Sequence, residues 1–394
     1  MKKCILFIVI TLITMICHHP IQAATFGPNA TSGTWTYNVI NDNKHLHLCQ
    51  VAPGKTIEIN LTGDVVIKDR VFIGSPSYLG PTANPAPATL IIRNRTGKPI
   101  TISNEIISKS ITDSNCTFNG VSGQTYTQYN IINTVFSVFI NGKLIIEGDE
   151  NSPIIINGNG SRTDITDTPY GFIESQGTVE LKYVTIENVK FQDHAGDTSV
   201  LKLASYAKKD SNGAYASYKL GTTTLDHCTI RNIQSPNYGA VIINGFKMDA
   251  IALNTRASNK VSITNCEIYN VTQTGAAIGE TSQGDYVDNV LGTAGLIRFR
   301  GGWVGDLYMK NTKIHDNTTV GYGGGVFWNA IGRASDRPVF TIDGCEFYNN
   351  TANDVTISGT TVRGSAPAMV LQGQFKFEGN TGASDKPCGA DVRH

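Results

Sequence analysis

The chain runs to 394 residues, of which 40% are hydrophobic and 16% charged, with 40 glycines. Its 32 basic residues balance 32 acidic ones, and with no basic cluster to neutralise phosphates a nucleic-acid partner is not expected. Low charge and abundant glycine agree with a soluble, exported β protein.

Met1-Lys2-Lys3, an apolar run from Ile5 to Ile16 and the small pair Ala23-Ala24 have the order of a signal peptide over residues 1–23, cut after Ala23 or Ala24. The mature chain is therefore expected at the cell surface, in the outer membrane or outside the cell. Ile16 precedes Cys17 where a lipoprotein motif wants a small residue, so no lipid anchor is expected. No later run is long and apolar enough to cross a bilayer as a helix.

Residues 24–54, with Trp35, Tyr37 and Val39, are placed as an N-terminal cap over the first open strand edge of the downstream repeats. His45, His47 and Cys49 share one face of an extended stretch, and imidazole with thiolate suits zinc or copper. Successive same-face residues on a strand stand about 7 Å apart, however, too far for one ion. No metal and no cofactor are expected.

Beyond residue 54 the chain repeats. Ile57, Ile59 and Leu61 alternate; Leu90-Ile91-Ile92 and then Pro99-Ile100 recur as Leu144-Ile145-Ile146 and Pro153-Ile154. A ten-residue frame then starts at 179, 223, 261, 307, 340 and 370. With Cys228 and its equivalents as position zero, nearly all side chains at −5, −3, 0 and +2 are apolar. Period two on both sides means strands. The step of three between −3 and 0 breaks the alternation, and its residues (Lys182-Tyr183, Asp226-His227, Thr264-Asn265, Asp343-Gly344) are largely corner formers. Each copy reads as strand, corner, strand. The expected fold for 55–394 is therefore an all-β, right-handed parallel β-helix, a solenoid with one copy per coil.

In that frame position zero stacks Val184, Cys228, Cys266, Thr312, Cys345 and Phe375 inward, and +2 stacks Ile186, Ile230, Ile268, Ile314, Phe347 and Phe377. Position +4 (Asn188, Asn232, Asn270, Asp316, Asn349, Gly379) reads as an asparagine ladder at a bend. A glycine-opened strand comes next at Gly239, Gly275, Gly323 and Gly389. The ladder cysteines read as small buried apolar groups; parallel side chains point alongside one another, which disfavours a Cys228–Cys266 bridge. The pairing of Cys49, Cys116 and Cys388 stays open.

The segments Gly323-Gly324-Gly325-Val326 and Gly239-Ala240-Val241-Ile242 resemble the Gly-Gly-Ala-Ile/Leu/Val element of polymorphic outer-membrane protein repeats. Phe347-Tyr348-Asn349-Asn350, Phe377-Glu378-Gly379-Asn380 and Ile314-His315-Asp316-Asn317 resemble its Phe-x-x-Asn element. The match covers roughly 179–394 and drifts in the earlier copies, where Val189, Ile233 and Val271 replace the last asparagine. More loosely, the chain is similar to right-handed β-helix proteins exported by gut-type Gram-negative bacteria. The resemblance implies a surface or secreted passenger with an adhesive role. Members of that family carry a C-terminal outer-membrane barrel, whereas Asp391-Val392-Arg393-His394 read as part of another strand. Either the chain is a fragment or another device holds it at the surface.

Two functional classes remain. As a binder, the protein would take a polysaccharide, a host or cell-surface glycan, or a protein. Its candidate contacts are the outward +3 rings Tyr269, His315 and Tyr348, the loop tyrosines Tyr206, Tyr215 and Tyr218, and Trp303 and Trp328 beside the glycine-rich strands. As an enzyme, it would be a polysaccharide lyase or glycoside hydrolase acting on an acidic polysaccharide, since β-helices also include such enzymes. The carboxylates a glycosidase needs have no recognisable signature here, and no catalytic residue is assigned. Asp226 and Asp343 share position −2 and read as turn residues; Arg298 and Arg300 read as surface arginines on an alternating strand. The expectation is a non-catalytic binder.

Overall fold

Strands with one apolar face are stable only where neighbours continue that face, and the chain meets this demand by coiling. The computed structural model describes residues 33–37, 45–46, 50–51, 53–67, 71–74, 86–104, 117–118, 121–122, 134–160, 171–191, 199–203, 206–209, 215–219, 221–244, 260–276, 294–299, 306–321, 324–329, 339–365, 369–372 and 392–393. The strands form three long parallel sheets, and each coil contributes to all three in turn. Sheet 1 runs from Gly33–Tyr37 to Phe340–Asp343, sheet 2 from His45–Leu46 to Glu346–Tyr348, and sheet 3 from Gln50–Val51 to Val392–Arg393. The chain is a parallel β-helix.

Among the described residues, nine coils follow the nine strands of sheet 1, with Val392–Arg393 adding a tenth strand to sheet 3, and their register joins the two repeat variants seen in sequence. Ile102, Ile156, Ile186, Ile230, Ile268, Ile314 and Phe347 are successive register partners along sheet 2. The six isoleucines of this stack are at most 2% exposed. Burying each side chain of this kind is worth about 1.5–3 kcal/mol.

The corner between sheets 1 and 2 is a single residue in the left-handed region: Tyr183, His227, Asn265, Asn311 and Gly344, with φ between 47° and 59°. An L-residue there costs about 1–2 kcal/mol, and one device recurs across the corner to offset it. The position-zero side chain donates to the carbonyl two residues back, from Cys228 to Asp226 (3.5 Å), Cys266 to Thr264 (3.1 Å), Thr312 to Lys310 (3.0 Å) and Cys345 to Asp343 (3.6 Å). A small side chain with an S–H or O–H suits this place. Cys228, Cys266 and Cys345 are free thiols.

A second left-handed residue ends the frame: Asn188, Asn232, Asn270, Asp316 and Asn349, with φ between 53° and 57°. Asn and Asp tolerate this conformation best after glycine. Their amides bond outside the core along the stack, from Asn232 to Asn188 (3.4 Å), from Asn270 to Asn232 (3.5 Å) and from Asn349 to Asp316 (3.1 Å). In the eighth and ninth coils sheet 2 is interrupted at this bend, between Lys313–His315 and Thr318–Val320 and between Glu346–Tyr348 and Thr351–Asn353. There the last residue of the Phe-x-x-Asn element turns inward. Asn317 Nδ2 donates to Ile268 O (3.2 Å), and Oδ1 accepts from Val271 N (2.9 Å). Asn350 does the same one coil on, to Ile314 O (2.8 Å) and from Asn317 N (3.3 Å). The buried amide of Asn317 and the half-buried one of Asn350 thus serve as the bonding partners where the bend leaves backbone groups without a ladder.

Several expectations are corrected by the register. The copy starting at 370 does not stack on the copy at 340, because Met369–Gln372 pairs with Val326–Asn329 in sheet 3. The third strand of the seventh coil is Ile297–Phe299, register partner of Ile242–Asn244, and not the stretch opened by Gly275. Strands of sheets 1 and 2 alternate, as in Ala88–Asn94 and Ile100–Asn104, whereas sheet 3 strands such as Val71–Ile73, Ser199–Leu203 and Ile242–Asn244 are buried at every position. Of the expected cap over 24–54, the described strands Gly33–Tyr37, His45–Leu46 and Gln50–Val51 continue the three sheets by one coil. The signal segment, Phe375, Phe377, Cys116 and Cys388 lie outside the described residues, as do His47 and Cys49.

Candidate functional site

Past position +4 the chain again alternates, so Val189, Ile233 and Val271 at +5 are buried and Lys190, Gln234 and Thr272 at +6 face out. Lys190, Gln234 and Thr272 are register partners in three successive coils. With Asn188, Asn232 and Asn270 beside them they line a groove of about 670 Å³, closed toward the fourth coil by Asn157, Asn159 and Gly160. The groove floor depends on close backbone approach. A Cβ at Gly160 would stand 2.8 Å from Asn188 O, and one at Gly158 would stand 2.8 Å from the same carbonyl.

Among the described residues, the groove wall carries amides, a hydroxyl and one ammonium group, and no carboxylate. An amide has two N–H donors and two acceptor sites on its oxygen. The ladder bonds at Asn232 use one of each, so a donor and an acceptor remain on the same side chain.

Alongside runs the +3 column, and every member engages the next. Arg231 pairs with Glu187 (2.6 Å) and donates to the Tyr269 hydroxyl (2.9 Å). The Tyr269 and His315 rings stack at 5.3 Å with 6° between planes, and His315 and Tyr348 at 4.5 Å with 5°. The three expected rings are therefore together on successive coils, but they stack on one another. His315 is 8% exposed, and its nitrogens face Glu267 (3.0 Å) and Asp316 (2.7 Å). The hydrogen bonds from His315 and Asn349 hold the Asp316 carboxyl below the usual carboxylate range. Tyr348, 38% exposed, is the most open ring of the column.

The loop tyrosines are separate from this column. Tyr206 lies on Tyr206–Lys209, and Tyr215 and Tyr218 lie on Tyr215–Lys219, an antiparallel hairpin between the fifth and sixth coils. Trp328 is on the sheet 3 strand Val326–Asn329. Trp303 and Arg300 lie outside the described residues.

The carboxylates and arginine weighed for catalysis are not brought together. Asp226 sits at the sheet 1 corner of the sixth coil, where it accepts from His227 (2.9 Å), Thr264 (2.9 Å) and Asn265 (3.1 Å). Burial works to raise this carboxyl, and the bonds from Asn265, Thr264 and His227 outweigh it, leaving it below the usual range. Asp343 is three coils away and pairs with Lys310 at 3.1 Å. Arg298 is on sheet 3 and is 0% exposed, which corrects its reading as a surface arginine. Its guanidinium lies 4.5 Å over the Tyr238 ring and donates to Ala294 O (3.0 Å).

Arg298 belongs to a row that alternation alone does not reveal. Ser137, Glu174, Lys202, Ile243 and Arg298 are successive register partners on sheet 3, and all are buried. Burial pushes the Glu174 carboxyl up to about 7 against the opposing charge of Lys202. Comparison with protein families, with curated proteins and with solved structures returns no match. Function therefore rests on this chain's own surfaces.

Proposed function

We propose that this is an exported β-helix protein, held at or released from the bacterial surface, that binds polysaccharide without cleaving it. The groove carries this reading: it spans four coils, and its exposed walls hold donors and acceptors together, with no carboxylate pair among the described lining residues to act as acid and base. The signal-like N-terminus supports export. The Phe-x-x-Asn and glycine-opened elements support kinship with polymorphic outer-membrane protein repeats and an adhesive role. In this reading Asn317 and Asn350 of that element shape the bend beside the groove rather than touch a ligand.

The test is incubation of the mature chain, residues 24–394, with a panel of polysaccharides, following both retention and newly formed reducing or unsaturated ends. Retention without new ends is expected. New ends would overturn the binder and favour a lyase or hydrolase; absence of retention on every glycan would overturn glycan recognition.

A further inference from the structure

Resting on that reading, we infer that the groove takes an extended, electrically neutral glycan lying parallel to the solenoid axis, in steps of about one sugar per coil. Direction is set by how the lining repeats. Across a coil the groove offers only two outward columns, whereas along the axis each column recurs: Asn188, Asn232 and Asn270 in one, Lys190, Gln234 and Thr272 in the other. A chain laid across the coils would meet one amide pair and then leave the groove. A chain laid along them meets a new pair about every 4.8 Å, a rise close to the length of one pyranose in an extended polymer.

Charge selects the class of glycan. A polyuronate brings a carboxylate with every sugar, and a site for it needs a cation at every step. Here Lys190 is the one cation among the described lining residues, and the adjacent Arg231 is already paired with Glu187. The remaining side chains suit hydroxyls, which donate and accept at one atom as the amides do within one side chain. The four coils span about 14 Å, room for roughly three or four sugars.

The experiment uses the full mature chain with defined oligosaccharides of two to six residues, drawn from neutral and uronate polymers, in calorimetry at low and high salt. Three variants change outward side chains that hold no backbone: Gln234→Ala, Thr272→Ala and Lys190→Met. Expected is binding of a neutral series that strengthens up to about four sugars and then levels, consistent with the span of about 14 Å, and that is unchanged by salt. Gln234→Ala and Thr272→Ala each weaken it by up to about tenfold, one hydrogen bond's worth, and Lys190→Met by less than about twofold. Neutral glycan bound equally well by Gln234→Ala and Thr272→Ala would overturn the groove while leaving glycan binding intact. Preference for uronates, or binding abolished by salt or by Lys190→Met, would overturn the neutral class. Failure of the unmodified protein to hold any glycan would instead bring down the proposed function itself.

Discussion

Replacing the inward asparagine of the eighth coil should cost far more than replacing the outward one of the ninth, although both stand beside the same bend. Asn317→Ala removes the acceptor of the buried Val271 N–H and the donor to Ile268 O, at 2.9 and 3.2 Å, together with a 2.9 Å bond to Asn350. An orphaned buried N–H costs about 1–3 kcal/mol and each lost bond about 1 kcal/mol, partly offset because the departing amide no longer needs burying. The expected loss is about 3 kcal/mol. Asn349→Ala leaves alanine in the left-handed region at φ 54° and removes one exposed bond to Asp316, for about 1–2 kcal/mol. Because a solenoid can open coil by coil, global melting is paired with amide hydrogen exchange. Val271 N–H should be protected in the parent and exchange about a hundredfold faster in Asn317→Ala, with Asn349→Ala leaving it within about threefold. Equal protection in all three proteins would refute the assignment of Asn317 as the partner of that backbone group.

Three further outcomes are expected. Between pH 4.5 and about 7 the folded protein holds a proton on Glu174 that the unfolded chain has released, so this group lowers stability as pH rises, by about 3 kcal/mol across the window. Glu174→Gln should flatten that slope in denaturant titrations at stepped pH, and an unchanged slope would exclude Glu174 as its source. The hydrogen bond with the Cys228 side chain, and then burial, push the Cys266 thiol far above its ordinary value, and Cys345 is raised less, by burial, and is only partly buried. Mass mapping after brief alkylation at pH 8 should find Cys345 labelled and Cys266 untouched until the protein unfolds; the reverse order would contradict the ladder. Gly160→Ala forces a Cβ to 2.8 Å from Asn188 O and 3.0 Å from Lys190 Cβ, so it should destabilise by about 1–3 kcal/mol, read as a lower denaturation midpoint, whereas an unchanged midpoint would mean that the groove floor is not tightly packed there.

The coil, its inward stacks and both corners were legible in the residues, because each is set locally. Alternation marks a strand, a step of three marks a corner, and Asn or Asp at +4 marks a left-handed residue whose short side chain can bond along the stack. The upstream Leu-Ile-Ile segments were legible for the same reason. Sheet membership was not: Met369–Gln372 belongs to sheet 3, and the third strand of the seventh coil is Ile297–Phe299 rather than the stretch opened by Gly275, since only pairing with a neighbouring coil assigns a strand to its sheet. The groove was half visible. Lys190, Gln234 and Thr272 lie two residues past the ladder in sequence, yet their meeting in one concave wall depends on three coils being in register. Arg298 shows the opposite limit. Its alternation says only that it points away from the core, and whether that direction meets water is decided by the rest of the tertiary structure, which leaves it fully buried. Local chemistry specifies how one coil bends, while stacking brings distant coils together and decides which outward side chains share a surface.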